Sequence, residues 1–348
     1  MHLGADLSAP AGNELNPGAF RIAVLGNFSG RARGADALAA RRAWRVDRDD
    51  VDAVIARLAP ELRIVLDPSE PPVAISFSSL DDFHPDALLR RVALFQGLVA
   101  LRSGKAPPPQ SAPKPDVRQE HRTNAAVLDL SGGSLLDRIV DGGGADIATG
   151  AARAATPRDE LSDFIAKAVR SHTVAETSAE QRDFAAKVDG VITAMMRVLL
   201  HHPQYQALEA LWRGVDFLTR RLDTSETMQV WLIDASREEL VADLAASDAA
   251  QTAAHKLTRT FSIVAGAYTF EPGDAELLAK LASIGRATGA CWLVAAHPRF
   301  VGVDTFADTD ADDWALVRSA AWSALRASPA AQHLSVAAPR FLARLPYG

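Results

Sequence analysis

Few residues in this chain are of a type and spacing that could do chemistry. The loop Gly26-Asn27-Phe28-Ser29-Gly30-Arg31 follows the apolar run Phe20 to Leu25, the place where a phosphate-cradling loop lies in an α/β protein, and nucleotide binding or hydrolysis would be its chemistry. It lacks the Gly-Lys-Ser/Thr ending and the Gly-x-Gly-x-x-Gly spacing, so a plain tight turn is the better reading. His201 and His202, with Glu209 seven residues on, are metal-ligand types. Adjacent histidines at a helix end point in different directions, however, and no His-x-x-x-His or Cys pair supports them, which favours capping and hydrogen bonding. Asp81-Asp82 precedes a proline-started helix, where negative charge complements the helix N-terminus. No Gly-x-Ser-x-Gly elbow marks a nucleophile. The sequence therefore names no catalytic residue, metal ligand or cofactor site. It predicts a protein that is not an enzyme, with a nucleotide-binding or hydrolytic α/β enzyme using the Gly26–Gly30 loop as the alternative.

Composition narrows the partners. A net charge of −6 and a pI of about 5.9 provide no bulk positive field to collect nucleic acid or anionic membrane. The single cysteine, Cys291, lies in the apolar run Cys291 to Ala296 and is expected to be a buried, inert thiol. The first residues lack a basic start followed by an apolar core, and no uncharged apolar run reaches membrane-spanning length. The expectation is a cytoplasmic protein with no nucleic-acid partner and no membrane insertion.

Two folded parts are expected on either side of a linker. In the first, Phe20 to Leu25 reads as a central strand, Asp47 to Leu58 as a helix, and Arg63 to Leu66 and Val73 to Phe77 as strands around the turn residues 67–72. One helix then starts at Pro85 and runs through Val99 to a stop at Gly104. In the second part, two helices meet at His201-His202-Pro203, the later one carrying Tyr205, Leu208, Leu211, Trp212 and Val215 on one stripe. Strand Met228 to Ile233 leads to a helix with Ser236 and Glu239 as a capping box. Strand Phe261 to Ala265 leads to helix Asp274 to Thr288, strand Cys291 to Ala296 to helix Asp312 to Arg326, and strand Leu334 to Ala337 closes the series. Such alternation builds a mixed, largely parallel sheet flanked by helices, an α/β fold. Residues 1–17 are expected to be disordered, 18–104 and 157–348 to be folded, and 105–133, rich in proline and charge, to be a flexible central linker.

Between the folded parts, 134–141 is expected to be a short amphipathic helix on which Leu135, Leu136, Ile139 and Val140 would make a narrow apolar face, followed by an expected flexible segment, 142–156. A helix so short either docks on its own body or serves as a helix-in-groove ligand. Trp212 is expected to be core rather than a partner hot spot, since it falls inside an apolar stripe.

The run Phe20 to Gly30 resembles the opening strand and loop of the small sheath subunit of type VI secretion systems, where an aspartate usually stands at the position of Asn27. Ile75 to Asp86 resembles that subunit's strand-to-helix junction. The second half resembles the large sheath subunit. Its recognisable stretches are Leu199 to Gly214, with His202, Pro203, Trp212 and Arg213, then Phe270 to Leu278, Ala295 to Phe306, and the closing run Ala338 to Gly348, with Pro339, Arg340, Pro346 and Tyr347. These residues are expected to be core or interface.

The resemblance implies a sheath-protomer-like fold and a structural function without catalysis. The implied partners are other sheath subunits, the inner-tube protein, baseplate components and the AAA+ unfoldase that recycles contracted sheath. That unfoldase engages the large subunit's N-terminal helix, which here would be Leu135, Leu136, Ile139 and Val140. The large subunit normally continues beyond the position of Gly348, and the small-subunit-like part ends near Gly104. The expectation is a fused, shortened sheath protein acting as a sheath component or as an end, cap or regulatory subunit.

Overall fold

The computed structural model describes residues 18–31, 37–66, 71–103, 178–246, 248–307 and, from 309 to 347, all but 311, 313, 317, 318 and 346. In chain order the strands are β1 (Phe20–Gly26), β2 (Ala43–Val46), β3 (Glu61–Ile64), β4 (Val73–Ser76), β5 (Met228–Asp234), β6 (Ile263–Phe270), β7 (Cys291–Ala296) and β8 (Leu334–Ala337). The helices are α1 (Val51–Leu58), α2 (Pro85–Arg91), α3 (Ala93–Arg102), α4 (Ser178–Leu200), α5 (Pro203–Arg221), α6 (Arg237–Ala246), α7 (Ala253–Thr258), α8 (Ala275–Thr288) and α9 (Ala320–Ala327). None of them is long and apolar enough to cross a membrane. The chain divides into two compact units, and both draw on residues from either side of the 105–133 stretch.

The first unit is drawn from 1–61, 76–80 and 206–346. Its sheet runs β2-β5-β1-β6-β7-β8. Strand β1 pairs in parallel with β5 from Phe20↔Met228 to Gly26↔Asp234, and with β6 from Ile22↔Ile263 to Leu25↔Gly266. The connection from β5 to β6 therefore steps over one strand position, and the N-terminal strand fills it. Strands β7 and β8 continue the parallel order, while β2 is antiparallel to β5 at the opposite edge. Ala23 and Leu25 face a core with Trp231, Ile233, Val264, Leu278 and Trp292. Ile22 and Val24 face the other side. There α5 comes so close that a Cβ on Gly26 would lie 2.9 Å from the Leu211 methyls.

Local signals set several element ends. Ser236 and Glu239 form the expected reciprocal box at the start of α6, with Ser236 N donating to Glu239 Oε2 at 3.0 Å and Glu239 N donating to Ser236 Oγ at 3.2 Å. Helix α8 ends at Gly289, in the left-handed conformation at φ +77°.

Other expectations need correction. Among the described residues, the α-helix expected over 312–326 covers Ala320–Ala327, and Ser319 caps it by accepting from Trp322 N at 3.1 Å. Upstream, Asp310 engages the backbone amide of Asp312 instead. The helix expected from Pro85 to Val99 is two helices, broken at Val92, whose backbone is extended at φ −76° and ψ 122°. The Gln96 side chain donates to the Arg90 carbonyl, freed by the break, at 2.6 Å. Strand β3 begins two residues earlier than expected, following a left-handed Ala59. Strand β6 runs on to Phe270 rather than ending at Ala265. Cys291 is half-buried rather than buried.

The second unit is drawn from 62–75, 81–205 and 347–348. Here β3 and β4 pair and α3 lies along α4, where Arg102 Nη1 donates to Asp189 Oδ1 at 2.9 Å. Of the two acidic residues before α2, Asp82 is buried and ion-paired with Arg91. Tyr205 donates its hydroxyl proton to the Phe83 carbonyl at 2.6 Å.

Candidate assembly interface

The C-terminal ends of β1 and β5 are where an open α/β sheet offers room for a ligand. In this chain the chain itself fills that room. The Asp234 carboxylate, at the end of β5, accepts from the backbone N–H of Ser29 at 2.9 Å. Trp212 Nε1 donates to the Phe28 carbonyl at 3.2 Å, and the two rings meet edge to face at 5.1 Å. Both Phe28 and Trp212 are fully buried. The Ser29 amide and the Phe28 carbonyl of the Gly26–Gly30 loop are thus engaged by residues from the second half of the chain, while the Asn27 side chain donates to the Arg31 carbonyl at 2.8 Å.

Arg41 completes this end of the sheet. Its side chain is 8% exposed, Nη1 donates to the Asp234 carbonyl oxygen at 2.5 Å, and Nη2 pairs with Glu239 Oε1 at 2.6 Å. Beside them Tyr268 donates to the Ala235 carbonyl at 2.7 Å. Burial, and then the charges of Asp234, Glu239 and Glu238, push the Tyr268 hydroxyl well above its ordinary range, with Arg41 opposing. At the other end of β1, Arg21 Nε donates to Gln229 Oε1 at 3.3 Å, and burial lowers the Arg21 pKa. Sequence reasoning passed over Arg21, Arg41, Asp234 and Gln229. The one signal available was a charged residue inside an otherwise apolar strand.

The residues singled out from the sequence fall in several places. Pro203 opens α5, and Trp212 is buried in the middle of that helix. Arg213 Nε donates to Glu209 Oε1 at 2.8 Å. Pro339 follows a cis peptide bond, and Arg340 hydrogen-bonds Thr269 Oγ1. In the second unit the Tyr347 carbonyl lies 2.9 Å from His201 Nε2, and its ring meets His84 at 6.1 Å. His202 Nδ1 is buried without a hydrogen-bond partner among the described residues, and desolvation lowers its pKa. Leu135, Leu136, Ile139, Val140 and Pro346 lie outside the described residues. Among the described residues, no three His, Cys, Asp or Glu side chains gather as metal ligands would.

Comparison with known families accounts for both halves. Residues 182–348 match the VipB/EvpB tail sheath N-terminal domain. Residues 13–105 match the type VI secretion system VipA family. Among curated proteins, the chain is 26% identical over 216 residues to the type VI secretion system sheath protein TssC1 of Pseudomonas aeruginosa, a match covering 54% of this chain and 43% of that relative.

Proposed function

The chain belongs to the contractile-sheath family of type VI secretion systems, joining a VipA-like region to a tail-sheath N-terminal domain, and on that footing we propose that it is a structural component or accessory subunit of such a sheath. In this reading it assembles with other sheath subunits in the cytoplasm through strand and helix faces and carries out no catalysis. One observation carries the proposal: β1, from the VipA-like region, is a full central strand of a sheet whose other parallel members all come from the tail-sheath region. Evenly spaced parallel backbone hydrogen bonds on both sides of β1 join the two regions within one sheet. Because both regions lie on one polypeptide, their association is intramolecular, which raises the effective concentration of one for the other.

The inner-tube protein, baseplate components and the AAA+ recycling unfoldase are further partners under this reading. Leu135, Leu136, Ile139 and Val140 would be the unfoldase contact. The enzyme alternative rests on the Gly26–Gly30 loop, and the engagement of the Ser29 amide by Asp234 and of the Phe28 carbonyl by Trp212 argues against it.

Negative-stain electron microscopy of the purified chain, alone and mixed with the sheath subunits and inner-tube protein of the same cell, tests the proposal. Tubes or ordered tube ends that contain this chain are the expected result. A discrete particle indifferent to those partners overturns it.

A further inference from the structure

Strand β1 has an alignment problem that its apolar residues do not solve. A strand with one wet face is held in register by its alternation, because a one-residue slip turns the apolar set toward water. From Arg21 to Gly26, β1 is buried on both faces. Ile22, Ala23, Val24 and Leu25 are apolar at consecutive positions, so a slip of one or two residues still places apolar groups in both cores. Backbone hydrogen bonds are equally indifferent, since each alignment two residues apart offers the same ladder.

A slip disrupts the polar contacts at the two ends. At the start of the strand, Arg21 stands directly opposite Gln229 and donates to its Oε1, which also accepts from Trp231 Nε1 at 3.2 Å. On the β6 side, Ser262 N donates to the Arg21 carbonyl at 2.8 Å, and Ser262 Oγ accepts from Arg21 N at 3.4 Å. Arg21 is only 7% exposed. Moving it two residues along β5 sets a buried guanidinium opposite Thr227 or Trp231, without the Gln229 acceptor. At the end of the strand, Gly26 stands opposite Asp234, whose carboxylate holds the Ser29 amide and whose carbonyl holds Arg41. A slip in either direction carries the Ser29 amide away from the half-buried Asp234 carboxylate. An unpaired buried charge is far more costly than a displaced methyl group.

We infer that Arg21 with Gln229, and Ser29 with Asp234, are register pins that admit β1 to the sheet in a single alignment. The two sets sit at opposite ends of the same seven-residue strand and act in the same sense. The inference concerns the alignment of β1 within its own sheet and stands apart from whether the chain enters a tube.

Disulfide trapping in the full-length chain, with Cys291→Ser as background, tests it. Phe20→Cys with Met228→Cys joins strand partners, whose separation across neighbouring strands of about 4.8 Å lies within disulfide reach. Phe20→Cys with Glu226→Cys reports a slip of two residues. With the pins intact, the 20–228 bond should form and the 20–226 bond should form roughly tenfold more slowly, or slower still. Adding Arg21→Met and Asp234→Ala, which removes the side-chain acceptor for the Ser29 amide, should bring the 20–226 rate up to that of the 20–228 pair while circular dichroism shows the helices retained. A folded variant that still yields the 20–228 bond alone overturns the inference. Should that variant fail to fold, Arg21→Met alone is read in the same way: a raised proportion of the 20–226 product supports the pins, and an unchanged proportion overturns them.

Discussion

Arg344 holds Glu209 from 135 residues away by a two-point grip, Nε donating to Oε1 at 2.8 Å and Nη2 to Oε2 at 2.5 Å. The Glu209 side chain is 5% exposed, and Arg213, one helical turn on, contributes a further bond. This grip ties the segment after Pro339 to α5. Along that segment Arg340 reaches Thr269, and Phe341 packs on Phe217 at 5.4 Å between ring centres. The segment is thereby held in place while Phe341, at 72% exposed, and Leu345, at 81%, stay in contact with water.

Removing the carboxylate should release the segment. Breaking a buried ion pair costs about 3–5 kcal/mol. Both guanidinium groups are a quarter exposed, so solvent compensates part of that, and Glu209→Ala should destabilise the chain by about 2 kcal/mol. In a thermal melt that is a fall of roughly 4–8 °C. Hydrogen exchange in residues 338–345 should rise with it, and unchanged exchange there would show that other contacts hold the segment. In the chain with Glu209 intact, Arg344→Lys should retain little of the grip, because an ammonium group cannot match the planar two-point geometry.

Trp212 joins a large apolar surface to one specific polar contact, and two substitutions separate these contributions. Trp212→Ala leaves a cavity beneath Phe28 and should cost about 3–5 kcal/mol. Trp212→Phe keeps an aromatic ring but leaves the Phe28 carbonyl without the indole donor, at about 1 kcal/mol. Chemical denaturation of the two variants checks the order, and equal losses would mean that the hydrogen bond rather than the ring volume dominates.

Two close-packed glycines make a sharper comparison. A Cβ on Gly285 would lie 2.8 Å from the Ala290 carbonyl oxygen, 2.9 Å from His333 Cβ and 3.1 Å from the His333 carbonyl oxygen. Most of these are backbone atoms that cannot turn aside, so Gly285→Ala should cost about 2 kcal/mol. A Cβ on Gly26 would meet chiefly the two Leu211 methyls, which can change rotamer, so Gly26→Ala should cost less. Denaturant midpoints decide, and a larger loss at Gly26 would show that Leu211 has no free rotamer.

Where the sequence carried a periodic pattern, the fold was legible in it. Cys291–Ala296 and Leu334–Ala337 form strands at the expected bounds, because short apolar runs between turn residues define strands by local composition. The Ser236 and Glu239 box was equally legible, since a capping box is complete within four residues. The short strand Ala43–Val46 escaped notice, as its pairing with β5 is a contact made across the chain. The candidate interface escaped for the same reason. Nothing near Asp234 in sequence indicates that it will hold the amide of Ser29, 205 positions earlier. The place of β1 between β5 and β6 belongs to the sheet's topology, and its local run could show only that it would be buried.

Two desolvated titratable groups, half-buried His202 and buried Tyr268, give stability opposite slopes with pH. Desolvation lowers the pKa of His202, so the unfolded chain binds a proton more readily than the folded one. Its contribution is present above the ordinary histidine pKa of about 6.5 and is lost as pH falls below that value. His202→Asn should therefore flatten the loss of stability between about pH 7 and pH 5. Burial raises the pKa of Tyr268, which leaves its hydroxyl neutral in the folded chain after the unfolded chain has begun to ionise. That contribution is present below about pH 10 and is lost as pH rises beyond it. Tyr268→Phe removes the ionisation and should flatten the alkaline limb while leaving the acid limb unchanged. Urea unfolding across the pH range, on the wild-type chain and each variant, separates the two limbs. A His202 variant that tracks the wild type through the acid limb would assign that loss to other groups.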